Sequence, residues 1–314
     1  MAQCQAITKR EAALLAERTE MGWKRDVAIW LNNRGLLPGR FIKCYVLPLL
    51  VRGKKNPYQG GLFFESYYKT FAKQAGLTDS VTLAPNVHPA HCKYHYNATE
   101  NSIISSLVRW PLREAPSVLD IGSGAGHWID FWLATYSASF VCGFDVSKTC
   151  AEALRTKYAG MDNVVIMEAD ISLRGVFLGR KFDVISAIGV IFHIVDDALW
   201  RQALVNMRNL LSDGGVIVVG GHFGWTTQDV QFHLNDNYED LEQAINSLQG
   251  VKYTFQRGQD AGDIYVNKRI RSLRYWKSAA AEAGLRVQMV RKTPSSFGIP
   301  MPENNIMLLT AASG

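Results

Sequence analysis

Cysteine is scarce and scattered in this chain: five thiols, at positions 4, 44, 92, 142 and 150, with no C-x-x-C pair among them. An odd, unclustered set argues against a disulfide framework and a structural zinc site, and it fits reduced thiols in the cytoplasm. Long apolar runs are missing too. None reaches the roughly 18–20 residues that a membrane-spanning helix needs, and Met1–Glu20 lacks the apolar core of a signal peptide. No internal repeat or low-complexity stretch is present. Acidic residues run short in one place only. Residues 1–100 carry 14 Lys and Arg against 7 Asp and Glu, and residues 101–314 carry 20 against 21, so the formal charge of +6 resides in the first third. A solvated helical face is the preferred reading of that segment. A surface for an anion, RNA or an acidic lipid is the other.

What the chain does have is concentrated after residue 117. Val118-Leu-Asp-Ile-Gly-Ser-Gly-Ala-Gly126 is a short apolar run with an acid, then three glycines at alternate positions, then an amphipathic segment from His127 to Tyr136. That order predicts a buried strand, a tight turn and a helix start. Glycines at 122, 124 and 126 let the backbone turn sharply and let a ligand lie against bare main chain. The spacing is G-x-G-x-G, not the G-x-G-x-x-G of dinucleotide binders, and histidine stands at 127 where that fingerprint needs its last glycine.

Further strands follow. Residues 139–144 predict a second, ending at Asp145, nineteen residues after Gly126. An acid at that distance is placed to accept hydrogen bonds from a ribose diol. Residues 163–167 predict a third, followed by Glu168-Ala-Asp-Ile171; Phe182–Ile188 predicts a fourth, and Gly215–Gly220 a fifth behind the turn Ser212-Asp-Gly-Gly215. Strands alternating with helical patterns imply a parallel sheet covered by helices.

Taken in order, these elements resemble the class I S-adenosylmethionine-dependent methyltransferases over about residues 115–312. The resemblance implies an α/β fold: a Rossmann-like, seven-stranded, mostly parallel sheet with helices on both faces. It implies S-adenosyl-L-methionine as cofactor, held by Asp120, Gly122, Ser123, Gly124 and Gly126 in the glycine-rich segment. Asp145 then resembles the ribose-binding acid, with Val146 beside it; Ala169, Asp170 and Ile171 resemble the adenine-holding segment, and Ile188 ends the fourth strand.

Residues 1–100 are expected to form a mainly helical accessory or cap segment, and 101–314 the cofactor-binding domain. Aromatics at 63, 64, 67, 68 and 71 have helical spacing and read as core. The run Tyr94-His-Tyr-Asn-Ala-Thr-Glu100 either lines the site, with Tyr94 and Tyr96 as acceptor contacts, or caps a helix that Thr99 or Glu100 begins. Residues 222–268 form an insertion far longer than the roughly 2–6 residues usual between elements of α/β units. It holds Trp225 and a helix expected at 238–248, and a second helix is expected at 269–283. In the resembling family such an insertion commonly forms the acceptor pocket.

Two histidines are candidate proton acceptors. His193, in Ile188-Gly-Val-Ile-Phe-His193, follows the fourth strand; His222 follows the fifth. Imidazole titrates near neutrality, so either suits proton abstraction, although His193 could equally order its loop. Asp196 and Asp197 read as caps of the next helix. Arg271 and Arg274 either grip a carboxylate or phosphate of the acceptor or lie on a solvated helix face. The fourth strand ends Ser186-Ala-Ile-Gly189, without the Asn/Asp-Pro-Pro-Tyr of enzymes that methylate planar amines and without a Pro-Cys pair. No metal site is expected. The expected partner is a small-molecule methyl acceptor rather than nucleic acid, and a homo-oligomer is left open. A hydroxyl acceptor with a histidine base is preferred. S- or N-methylation of an amino-acid-like, carboxylate-bearing acceptor is the alternative, ahead of an RNA methyltransferase or a non-catalytic cofactor-binding protein.

Overall fold

The computed structural model describes residues 64–65, 68–69, 76–79, 82, 89–175, 179–221, 223–224, 228–233, 265–291 and 305–312. All belong to the larger of the chain's two compact units. Short apolar runs bounded by turns make the strands β1 (Ser117–Ile121), β2 (Phe140–Asp145), β3 (Val164–Glu168), β4 (Phe182–Ile188) and β5 (Leu211–Gly221). Helices α1 (Pro89–Leu107), α2 (His127–Tyr136), α3 (Lys148–Lys157) and α4 (Asp197–Leu210) precede or separate them. Farther along come β6 (Phe223–Gly224), β7 (Gln228–His233), β8 (Tyr265–Ser272), α5 (Leu273–Glu282), β9 (Leu285–Arg291) and β10 (Asn305–Ala311).

Seven strands form one sheet in the order β3-β2-β1-β4-β5-β10-β9. The pairs among β1 to β5 are parallel, and β10 runs antiparallel to both of its neighbours. This is the seven-stranded, mostly parallel Rossmann-like sheet expected from the sequence. Successive side chains of a strand point to opposite faces, so each strand feeds two layers. Leu119, Ile185, Ile217 and Met307 pack with Trp200 and Met207 of α4 and with Trp276 of α5. Val118, Val141, Val184 and Leu308 pack with Ile103 of α1, Trp132 of α2 and Leu154 of α3 on the other face. Among the described residues no helix is long and apolar enough to cross a membrane. Cys92, Cys142 and Cys150 are buried free thiols.

Two expectations are corrected here. Tyr94–Glu100 does not precede a helix; it lies inside α1, where the Thr99 hydroxyl donates to the His95 carbonyl at 2.9 Å. Residues 269–272 are strand, not helix. Val266, Lys268 and Ile270 alternate with Asn267, Arg269 and Arg271, a period of two that suits pairing with β7 from Gln228↔Ile270 to His233↔Tyr265. Helix α5 begins only at Leu273, where Ser272 Oγ accepts the N–H of Tyr275. The insertion thus starts and ends in a second, three-stranded sheet of order β6-β8-β7. The helix expected at 238–248 lies outside the described residues.

Leu119 is fully buried in the central strand, and replacing it with Ala removes packing that the sheet cannot relax to refill. We expect Leu119→Ala to destabilise the chain by about 2–5 kcal/mol. Val205→Ala, on the 38% exposed side of α4, should stay within about 0.5 kcal/mol; denaturant unfolding compares them.

Candidate functional site

In a parallel sheet whose first strand lies between the second and fourth, ligands are expected beyond the carboxyl ends of the strands. A cleft of about 1230 Å³, counting space open to solvent, lies there. Ile121 to Ala125 follow β1 into it, Asp145 and Val146 come from β2, Ala169 to Ile171 from β3, and Ile188 to Val190 from β4. The glycine loop is held from behind. The N–H groups of Gly122 and Ser123 donate to the Phe144 carbonyl at 2.7 and 2.9 Å, and Gly126 N–H donates to Ser123 at 2.7 Å. Gly122 has φ +72°, and a Cβ there would stand 2.3 Å from Val190 Cγ2. Gly126, at φ +88°, makes the turn expected of it and is also held by packing. The space a Cβ would take is filled by the Tyr158 hydroxyl and by Leu154 of α3, so its glycine is required by helix packing.

Asp145 is 5% exposed and bonds to two turns at once. Its Oδ2 accepts the N–H of Gly124 and its Oδ1 that of Ser147, both at 2.9 Å. A carboxylate has about four acceptor positions, so two bonds leave capacity for a diol. Burial pushes its carboxyl up to about 6, against the pull of these N–H groups. Asp120 lies fully buried one residue before the cleft wall, and neither of its oxygens reaches a hydrogen-bond partner among the described residues. Burial raises it to about 7, opposed by the nearby hydroxyls of Ser123 and Ser186. Asp170 also faces the cleft, with Oδ1 accepting from Ser172 N–H and Oγ at 2.8 and 2.6 Å.

The opposite wall comes from residues before β1 together with the first two residues of α2, and sequence reasoning missed how it is fastened. Phe64, Tyr68, Thr82, Tyr96, His127 and Trp128 line the cleft. Glu65 reaches the start of α3, accepting from Ser147 Oγ (2.7 Å), Thr149 N–H (2.9 Å) and Thr149 Oγ1 (2.9 Å). Burial works to raise this carboxyl, but those bonds and Lys69 outweigh it and hold it at about 2. His127 lies between two carboxylates, Nδ1 2.9 Å from Asp79 and Nε2 2.7 Å from Glu100, with the Tyr96 ring 3.9 Å away. Burial works against its charge, yet the two acids raise it to about 9. The one signal in the sequence was a histidine in place of a glycine. Phe64 and Tyr68 belonged to the stripe read as core.

Of the remaining candidates, His193 lines the cleft, with the Phe64 ring edge-on at 5.1 Å and the Phe192 ring at 4.5 Å. Tyr96 lines it too, whereas Tyr94 is 38% exposed and stands apart from it. Arg274 is exposed on α5. Arg271 is 1% exposed and donates to Asp197 and to the carbonyl of Ile194 rather than lining the cleft. Asp196 caps α4 as expected; Asp197 instead pairs with Arg271 and Arg269. His222 and Trp225 lie outside the described residues.

S-adenosylmethionine fits these residues. Asp120, buried with both oxygens lacking a partner among the described residues, would face its positive charges; Asp145 would have acceptor capacity left for its ribose diol, and bare backbone at Gly122 and Gly124 would let it approach. Ionisation has a sign. Asp120 titrates near 3.8 unfolded and near 7 folded, so across that window the unfolded chain is ionised while the folded chain still holds its proton. The free protein therefore loses stability from this group as pH rises, and a cationic ligand recovers it. Calorimetry should find S-adenosylmethionine binding tighter at about pH 8 than at about pH 6, with a smaller pH effect in Asp120→Asn; an unchanged pH slope in that variant counts against Asp120. Gly122→Ala should weaken cofactor binding at least about tenfold, because strain at positive φ adds to the clash with Val190.

Residues 118–215 match the methyltransferase-domain family. A dTDP-4-amino-2,3,4,6-tetradeoxy-D-glucose N,N-dimethyltransferase of Saccharopolyspora spinosa is 28% identical over 220 residues, 64% of this chain and 84% of that protein. A S-adenosylmethionine-dependent methyltransferase from Clostridium acetobutylicum ATCC 824 shares the fold, with a TM-score of 0.50 at 14% identity over 80% of this chain and 99% of that one. The CcbJ methyltransferase of Streptomyces caelestis superposes with a TM-score of 0.47 at 18% identity, covering 69% and 90%. The domain matched over residues 118–215 and the Rossmann-like sheet that carries it are those of an S-adenosylmethionine-dependent methyltransferase, with S-adenosylmethionine as the cofactor.

Proposed function

We propose that the chain methylates an amino group on a small, sugar-like acceptor, with His193 as the residue that takes the acceptor's proton. The observation that carries this reading is the position of His193, which follows β4 and lines the same cleft as the glycine loop. When bound, S-adenosylmethionine supplies a methyl group on a sulfonium that needs no further activation to leave. The chain must then hold the acceptor's lone pair in line and keep water away, which is work of orientation and exclusion. Phe64, Tyr68 and Phe192 give that region an apolar wall.

An alkylammonium has no lone pair to offer until it loses a proton, and an imidazole suits that task near neutral pH. The relative from Saccharopolyspora spinosa is named for N,N-dimethylation of an amino sugar, which supports an amine over the hydroxyl preferred from sequence. A hydroxyl acceptor remains the second reading, because a histidine in this position would serve it as well. In either case the insertion at 222–268, which begins and ends in the β6-β8-β7 sheet, selects the acceptor.

The test offers the protein S-adenosylmethionine with a panel of amino sugars and their hydroxyl counterparts. The methyl connectivity of any product is then read by NMR. An N-attached methyl is expected; an O-attached one overturns the amine reading. His193→Ala should lower turnover about 10²- to 10⁴-fold with little change in cofactor affinity. Near-normal turnover would remove the base role.

A further inference from the structure

Strand β8 ends beside the turn that carries His193. Arg271, its penultimate residue, is 1% exposed, and its guanidinium carbon lies 4.3 Å from the ring centroid of Trp200 in α4. Its Nε and Nη2 donate to Asp197 Oδ1 at 3.0 and 2.8 Å, and Nη2 also donates to the Ile194 carbonyl at 3.0 Å. The carbonyls of Val195 and Asp196 are each 3.4 Å from the same nitrogen. Nη2 has two hydrogens, so the two short contacts take them. One rigid plane therefore joins the backbone just after His193 to a side chain four residues beyond it.

The rest of that turn is tied at its ends. His193 N–H donates to the Val190 carbonyl at 2.9 Å, and Asp196 Oδ1 accepts the N–H groups of Ala198 and Leu199 at 2.8 and 2.9 Å. Arg271 ties the middle. Burial lowers its guanidinium to about 10, with Asp197 opposing, so the group stays charged at neutral pH. Well-packed apolar residues often serve stability as well as a buried ion pair. They cannot bind the carbonyl of Ile194, and a lysine lacks the planar fork that binds it together with Asp197.

We propose that Arg271 is a positioning residue for His193: by fixing the Ile194 carbonyl and the Asp197 carboxylate it sets how the imidazole meets the cleft. The pairing of Phe223 with Arg271 then links the insertion to the His193 turn. The importance of this role for catalysis rests on the reading of His193 as proton acceptor. It differs from the acceptor-gripping role expected from sequence, which would raise the acceptor's KM and leave the imidazole unmoved.

The test needs no acceptor. Protein carrying 13C-labelled histidine is saturated with S-adenosylhomocysteine, and the His193 ring signal is assigned through His193→Gln and titrated with pH. Arg271→Lys and Asp197→Asn are expected to broaden or split that signal and shift its titration midpoint, while S-adenosylhomocysteine affinity holds. Arg201→Ala, which removes a surface pair with Glu282, should leave the signal where it is and so controls for lost stability alone. If Arg271→Lys does not fold, Asp197→Asn carries the test, because the α4 cap is Asp196. An unmoved His193 signal in the folded variants overturns the positioning role, whatever turnover does. A moved signal combined with full turnover in His193→Ala upholds the positioning and sinks only the base.

Discussion

The carboxylate of Asp145 holds the cleft together, because it joins two turns that would otherwise be independent. The parallel register of β1 and β2 sets Ile121 beside Phe144, so the glycine loop and the start of α3 leave the sheet at the same edge. Each turn offers an N–H there, and a carboxylate only accepts. Glu65 repeats the device one step outward on Ser147 and Thr149. The three acids also act on one another: Glu65 works to raise Asp145, and Asp145 works to raise Asp120. Negative charge gathered beside the cleft favours a cation. S-adenosylmethionine carries one positive charge more than its demethylated product, so acids that faced the cofactor would hold that product less strongly.

The facing wall is built on another principle. It has no strand in the main sheet among the described residues, and it is fastened by side chains: Glu65 on α3, Asp79 and Glu100 on His127, and Thr82 with the Tyr96 hydroxyl at 3.1 Å. The His127 pairs are partly exposed, and ion pairs of that kind contribute about 0–1 kcal/mol each. A wall held this way does not draw on the hydrogen bonds of the sheet behind it. The histidine that distinguishes the loop from a dinucleotide-binding turn is thus where Asp79 and Glu100 fasten the wall.

The sheet was legible in the sequence because its signals are local. Apolar runs of five to seven residues, each ending at a glycine or an acid, placed β1 to β5 to within a few residues. The glycine loop and Asp145 were legible for the same reason. The wall was not. Glu65 finds its partners 82 and 84 residues away, and Asp79 finds His127 across 48; no periodicity records such pairings. Arg271 failed differently. Its basic neighbours read as a helix face, whereas alternation along β8 turns it inward onto Trp200, so a charge taken for a surface group became a buried one.

The two halves of the cleft consequently differ in what a change of sequence does to them. The cofactor half is made at the ends of strands whose register is fixed by two packed layers, so substitutions elsewhere reach it weakly. On the proposed reading, the acceptor half meets it at the turn from Val190 to Asp197, and that turn is clasped from β8. The strand that closes the insertion therefore also holds the residue that takes the proton. On the same proposed reading, an insertion that selects the acceptor and also bears on the imidazole couples selection to rate. Exchanging its loop for another would alter turnover even where the new acceptor binds well, because Arg271 would carry any shift of β8 into the His193 turn.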